Sequence, residues 1–432
     1  MILNKNYLRK VLSNILWLIF DKVFLLIINL VVLVKIANHY GASEYGIYQY
    51  AVSVNTLLAI ILGFIDSRVV KKKYTSYSVI DTVYNVTIAK CILSIIYLVV
   101  GVIFIRIVNR GLHFQIIFFF ALFNNIIMNL GFGIENHFEY ELKSKNIVIS
   151  ANIAKIISCL LQLLAIKNDW SIEMISVIIF IGSVIRLCLL VAQYRMKFSQ
   201  AFIGTLNLHY IQGLIKESLP LGIAAAAAII YTRCDVIMIE SLMKSYSNVG
   251  IYSISNQLIS VVQIILVPVQ VSIFPKMIEW YKKGEKVYYS YYLWITSIMT
   301  WIYIIGVVFS YIVLPFIFRN FFSKDYMQSY SVFQIHILGT FFMYNAILRS
   351  SHFTLTGHTY VMMISQIIAV FFNIILNLLL IPRMGIYGAA LSTVITQCVS
   401  LFVSNFFFKE GKTIGYIQLR GVSPRYLWYR KE

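Results

Sequence analysis

The sequence predicts an all-α integral membrane protein of about twelve transmembrane helices, set out as two six-helix lobes with both termini in the cytoplasm. Three observations predict it. Hydrophobic residues make up 60% of the 432 and charged residues only 12%, about half the charged share of a soluble domain. The apolar residues fall in long continuous runs, without the period-2 alternation of barrel strands. Lys and Arg gather on alternate connections between those runs.

A membrane-crossing helix needs roughly 20 apolar residues and satisfies its own backbone hydrogen bonds, as lipid requires. Runs of this kind occupy about 11–34, 46–65, 83–105, 112–134, 147–166, 171–194, 217–242, 250–274, 289–318, 329–348, 359–381 and 386–408. The first follows Lys5, Arg9 and Lys10, but it is too long for a signal peptide and lacks an A-x-A-like cleavage site, so it reads as a retained helix. Pro268 lies within the eighth run and is expected to kink it. Tyr288, Tyr289, Tyr291 and Tyr292 open the ninth as an aromatic belt at the membrane surface. The connections are short. The longest, 195–216, is too small for a soluble catalytic domain.

Internal repetition divides the chain. Gly46-Ile47-Tyr48 opens the second run and Gly250-Ile251-Tyr252 the eighth, the same place in two halves of six; Gly385-Ile386-Tyr387 opens the twelfth. The expected organisation is an N-terminal lobe over 1–200, a C-terminal lobe over 201–410 and a basic cytoplasmic tail over 411–432. Two parallel six-helix bundles are a common transporter plan.

The net charge of +19 would suggest nucleic acid in a soluble protein. Here topology accounts for it, and no nucleic-acid partner is expected. With the N-terminus in the cytoplasm, 23 of the 36 Lys and Arg fall on the cytoplasmic side and 8 on the other, as the positive-inside rule requires. Such loops also attract the anionic headgroups of membrane lipids. All five cysteines lie inside apolar runs, and the seven histidines show no metal-ligand spacing. Neither a disulfide framework nor a metal site is expected.

Charge inside a membrane is costly and needs a partner, water or a function. Lys90, Lys155, Arg186 and Arg233 lie in predicted spans. They read either as a positive lining for a phosphate-bearing headgroup or as interhelical ion pairs and snorkelling side chains. Asp21 and Asp235 either carry H⁺ or Na⁺ coupling or neutralise Lys22 and Arg233. Asn124, Asn125 and Asn129 share the fourth run, and Asn373 and Asn377 lie one turn apart on the eleventh. Such amides hydrogen-bond either sugar hydroxyls or neighbouring helices.

Three stretches carry a family resemblance. One is Asn14, Trp17, Asp21 and Lys22 followed by Ala37–Tyr50, ANHYGASEYGIYQY. Another runs from Pro220 through Arg233 and Asp235 to Gly250-Ile251-Tyr252 and Phe274-Pro275. The third, from Asn373 to Ala390, is NIILNLLLIPRMGIYGAA. Together these resemble the Wzx-type polysaccharide flippases, in the superfamily that also holds the MATE multidrug exporters. Asn38 stands where that family often has Arg, so no role of that Arg carries over. The resemblance implies a MATE-like fold, multi-pass in a bacterial inner membrane, and not an enzyme. It implies a cargo of undecaprenyl-pyrophosphate-linked oligosaccharide, an O-antigen or capsule (lipopolysaccharide or related) repeat unit. Flipping would be by alternating access without ATP, which agrees with the lack of a P-loop sequence. No cofactor is implied beyond a coupling H⁺ or Na⁺, and the polysaccharide polymerase machinery is the protein partner it suggests. The candidate substrate contacts are then Lys90, Lys155, Arg186, Arg233, Asn124, Asn373 and Asn377, with Asp21 and Asp235 for ion coupling. The alternatives are a drug or peptidoglycan-lipid exporter of the same superfamily and a membrane polysaccharide polymerase or ligase. The positive interior disfavours a cation exporter, and the short outer loops disfavour a polymerase.

Overall fold

The computed structural model describes residues 5–141, 143–198 and 204–428, with side chains from residue 28 onward except at 224, 267 and 271. The described chain is helical, with no strand. Ten stretches are long and apolar enough to cross a membrane, or eleven with the pair Leu208–Ile223 and Ala225–Met243 taken as one span bent by 43°. These correspond to the expected runs from the second to the twelfth. The first, 11–34, lies largely outside the described side chains, and so do Asn14, Trp17, Asp21 and Lys22.

Two compact units divide the chain at Ile237. The unit Lys35–Ile237 takes in most of eight helices. α1 (Lys5–Leu58) breaks at Gly41, whose φ of 75° and ψ of 172° are glycine geometry, and it ends in a 3-10 turn over Ala59–Phe64. α2 (Ser67–Lys73) is capped by the Asp66 carboxylate, which accepts from the Arg68 N–H. Ser78 caps α3 (Val79–Val108) in the same way. α4 (Leu112–Leu130), α5 (Phe132–Tyr140), α6 (Lys145–Lys167), α7 (Ile172–Phe198) and α8 (Leu208–Met243) follow. α4 packs between α3 and α7, and α6 lies along α7. The α6–α7 approach depends on small residues: a Cβ on Gly182 would come within 3.1 Å of the Ser158 Cβ. Lipid tails are as apolar as leucine, so close backbone approach of this kind drives helix association in a bilayer.

The second unit, Met238–Glu432 in its C-terminal part, holds α9 (Tyr246–Gln263), α10 (Leu266–Lys282), α11 (Glu285–Phe321), α12 (Met327–Asn345), α13 (Arg349–Leu355), α14 (Thr359–Met384), α15 (Ile386–Leu401) and α16 (Lys409–Arg420). α12 is central, packed by α9, α11 and α15, while α14 and α15 form a tight hairpin. α11 shows the inverse of soluble amphipathicity. Ile305, Val308, Phe309, Ile312 and Phe316 are exposed, whereas Thr296, Thr300, Tyr303 and Ser310 are buried. The apolar stripe faces acyl chains and the polar one faces protein.

The expected disruption at Pro268 falls where α9 passes into α10, within the single apolar stretch Tyr246–Gln270. Proline has no N–H for the Ile264 carbonyl, and its ring crowds that carbonyl. The helix tightens there, with the Ile264 N–H bonded to the Val261 carbonyl at 3.2 Å, while Ile264 and Ile265 keep right-handed helical dihedrals.

The Gly-Ile-Tyr triplets share a backbone context. A left-handed residue stands just before or at each: Gly41 (φ 75°), Lys244 (φ 52°) and Gly385 (φ 60°). The helix resumes at Ala42, four residues ahead of the first triplet, and at Tyr246, four ahead of the second, where Ser245 caps α9 by accepting from the Asn248 N–H. At the third, Gly385 (ψ −138°) turns α14 into α15 in a conformation essentially restricted to glycine. Three residues on, Gly388 lies so close to the Leu380 carbonyl that a Cβ has no room.

Candidate functional site

A polar ladder runs down the inner face of α3. Lys90, Ser94 and Tyr97 lie at steps of four and three, on one helical face, and all are buried. At the bottom rung, the Tyr97 hydroxyl donates to Asn55 Oδ1 at 2.9 Å and accepts from Asn125 Nδ2 at 3.0 Å. Asn55 in turn donates to the Phe118 carbonyl at 3.1 Å, tying α1 to α4. Asn129 Nδ2 reaches Ser94 Oγ at 3.4 Å. At the last rung the Lys90 Nζ donates to the Leu62 carbonyl at 2.7 Å and sits 4.0 Å from the centroid of the Phe132 ring. Leu62 belongs to the 3-10 turn that ends α1, where carbonyls lose their helical donors. A cation is favourable at such a terminus, and the ring face adds cation–π attraction.

Arg186 of α7 forms an ion pair with Glu135 of α5, Nη2 to Oε1 at 2.5 Å, and its Nη1 lies 3.4 Å from the Met128 sulfur. Phe132 and Glu135 are one turn apart on α5. Lys90 and Arg186 therefore converge on one junction, Met128–Glu135, where α4 passes into α5. Both cations have their polar groups taken up by protein.

The other sequence candidates differ. Lys155 on α6, Arg233 on α8 and Asn124 on α4 are half-buried, and none makes a hydrogen bond or ion pair among the described residues. Asp235 is buried and is engaged in polar contact. Asp21 lies outside the described side chains. In the second unit, Asn373 and Asn377 are fully buried on α14, and Asn377 Nδ2 donates to Asn373 Oδ1 at 3.1 Å. The Asn373 amide nitrogen finds no partner among the described residues.

The second unit also contains a cation that hydropathy assigns to a loop. Arg349 opens α13 and is 4% exposed. Its Nε donates to Asn405 Oδ1 at 2.6 Å and its Nη2 to Ser365 Oγ at 2.8 Å and Ser404 Oγ at 3.1 Å. Asn405 donates onward to Gln418 Oε1 at 2.7 Å. All these partners are neutral, so the guanidinium is solvated by protein amides and hydroxyls. Elsewhere in this unit His336 is buried between Ser255 Oγ (2.8 Å) and the Tyr252 hydroxyl (3.1 Å).

Sequence reading missed Asn55, Ser94, Tyr97, Glu135 and the Arg349 cluster. The spacing of Ser94 and Tyr97 from Lys90 was a usable signal, since all three share one face of a single run. Glu135 and Arg349 each sit one residue beyond an expected helix end, at 134 and 348, where a charge reads as solvated.

The fold that carries these residues is that of known transporters. The lipid II flippase MurJ, in an inward closed conformation, superposes with a TM-score of 0.72 at 15% identity, over 96% of this chain and 94% of that one. An inward-facing MATE-family multidrug resistance transporter of the MOP superfamily gives 0.69 at 11% identity, over 91% and 95%. The protein is thus a multi-pass helical membrane protein with the MATE and MurJ fold. Residues 11–280 match the polysaccharide biosynthesis protein family (Polysacc_synt), and the chain belongs to that family. The capsular polysaccharide biosynthesis protein CapF of Staphylococcus aureus is 24% identical to it over 393 residues, 88% of this chain and 94% of CapF.

Proposed function

We propose that the protein is a flippase that moves a lipid-linked oligosaccharide, carried on undecaprenyl pyrophosphate, across the bacterial inner membrane by alternating access, with both termini cytoplasmic. The observation that carries this reading is the pair of cations Lys155 and Arg233, which make no hydrogen bond or ion pair among the described residues, in membrane spans of a polysaccharide biosynthesis protein. A cation in a span without a counter-ion is expensive, and a cargo with two phosphates supplies the missing charge. Arg233 offers a planar fork to phosphate oxygens and Lys155 a compact ammonium. Asn124, also without a partner among the described residues, suits a sugar hydroxyl. The lipid tail stays in the bilayer throughout, so only the hydrated headgroup has to be carried.

In this reading Lys90 and Arg186 keep the architecture around the cationic interior rather than grip the cargo, because each is already bound to a protein group, Leu62 and Glu135. The Asn373 amide nitrogen, without a partner among the described residues, suits a sugar contact. Asp235, with Asp21, is the carboxylate pair for H⁺ or Na⁺ coupling. Replacing Lys155 and Arg233 together with Gln, at unchanged membrane abundance, is the test. Surface polysaccharide should fall by an order of magnitude or more while lipid-linked oligosaccharide accumulates on the cytoplasmic face. Full retention of surface polysaccharide rejects these contacts.

A further inference from the structure

The stretch after Phe408 folds back onto the start of α11. α16 packs on α11 and on the 3-10 turn Val403–Phe407, and a last 3-10 turn, Pro424–Trp428, also lies against α11. The Trp294 indole N–H donates to the Leu427 carbonyl at 3.3 Å and Ser297 Oγ to the Ser423 carbonyl at 3.3 Å. Gly421 allows this contact, since a Cβ there would meet Thr296 Cγ2 at 2.8 Å.

Between these elements lies an open cavity of about 620 Å³. Lys286 and Tyr289 of α11, Thr413 and Arg420 of α16, and Arg425 of the final turn are among its lining residues. Three cations therefore share one concavity, and no carboxylate lines it. None of the three makes an ion pair among the described residues. The nearby acids Glu285 and Glu410 line a separate neighbouring cavity. Hydroxyls of Tyr289 and Thr413 add neutral polar groups to the same wall.

The residues in and near the cavity suit a membrane surface. Tyr416 lines it and is exposed, as are Leu419, Val422 and Trp428 in the same C-terminal stretch, while Ile417 at the cavity wall and Ile414 are buried. At the start of α11, Tyr291 stacks on Trp280 of α10, with ring centroids 4.5 Å apart. Exposed Trp, Tyr and Leu beside clustered Lys and Arg are the pattern of a helix lying in the headgroup layer. At that depth the abundant anion is the phosphodiester of a phospholipid. We propose that this cavity binds the headgroup of an anionic phospholipid, with Lys286, Arg420 and Arg425 around the phosphate and the acyl chains alongside Tyr416 and Leu419. The site is independent of the cargo site above.

The test uses the full-length protein in neutral detergent, titrated with phosphatidylglycerol and, separately, with phosphatidylcholine, and bound lipids counted by native mass spectrometry. The variant combines Lys286→Gln, Arg420→Gln and Arg425→Gln, all at exposed positions. A control variant carries Lys282→Gln and Lys283→Gln, which lower the charge at the end of α10 outside the cavity. Wild type should retain one phosphatidylglycerol at least about tenfold more tightly than phosphatidylcholine, since each basic residue near the headgroups contributes severalfold. The triple variant should lose that preference with an unchanged melting temperature, and the control should keep it. Equal retention of phosphatidylglycerol by the triple variant overturns the proposal. Displacement of the lipid by equimolar inorganic phosphate, or by equimolar undecaprenyl pyrophosphate, overturns the lipid assignment in favour of a free-anion or cargo site.

Discussion

The Lys90 ammonium donates a 2.7 Å hydrogen bond to the Leu62 carbonyl, joining the middle of α3 to the turn where α1 ends. The bond stabilises a broken helix end inside apolar surroundings. Lys90→Met leaves that carbonyl unpaired, which costs roughly 1–3 kcal/mol. The melting temperature in detergent should fall, while the affinity for lipid-linked oligosaccharide stays within about twofold for folded protein. A large loss of affinity with an unchanged melting temperature would assign Lys90 to the cargo instead.

Arg186 and Glu135 are both mostly buried, with side chains 16% and 21% exposed. Removing one partner strands the other. Glu135→Gln or Arg186→Met alone should destabilise by roughly 3 kcal/mol, the lower end of the range for buried pairs. The double variant should recover much of that loss. A thermal-melt double-mutant cycle measures it, and additive losses would show that the pair is not coupled.

Arg349 depends on the shape of its guanidinium. Its Nε and Nη2 reach three side-chain oxygens on three different residues. Lysine preserves the charge but not the fork. Arg349→Lys should therefore lower stability by about 1.5–3 kcal/mol, as for loss of a charged hydrogen bond. Wild-type melting behaviour in that variant would mean that charge alone suffices.

The α14–α15 turn makes a sharper demand. Gly388→Ala sets a methyl group against the Leu380 carbonyl, and overpacking of this kind costs about 1–3 kcal/mol. Membrane abundance and melting temperature should both drop, more than for Gly306→Ala, which meets open space.

Hydropathy located eleven of the twelve runs because a bilayer demands length and apolarity, and both are local properties of sequence. The family motifs were legible for the same reason: Gly385 and Gly388 answer to a turn and a close contact only a few residues away. Partnership was not legible. Arg186 and Glu135 are 51 positions apart, and Arg349 meets Asn405 across 56, so neither pair shows in the pattern of one helix. The reading of Lys90, Lys155, Arg186 and Arg233 as one cationic set divided once contacts were known, into two engaged residues and two without a partner among the described residues. Pro268 was legible as a disruption, because its missing N–H and its ring act on the Ile264 carbonyl one turn away.

The central claim is translocation itself. Purified protein reconstituted into liposomes with fluorescent undecaprenyl-pyrophosphate-linked oligosaccharide on the outer leaflet offers the direct measurement, with outer-leaflet glycan quenched by an impermeant reagent. Wild type should carry glycan to a quencher-protected pool far faster than empty liposomes do, and the Lys155→Gln, Arg233→Gln double variant should not. Protection no faster than in empty liposomes would contradict the account.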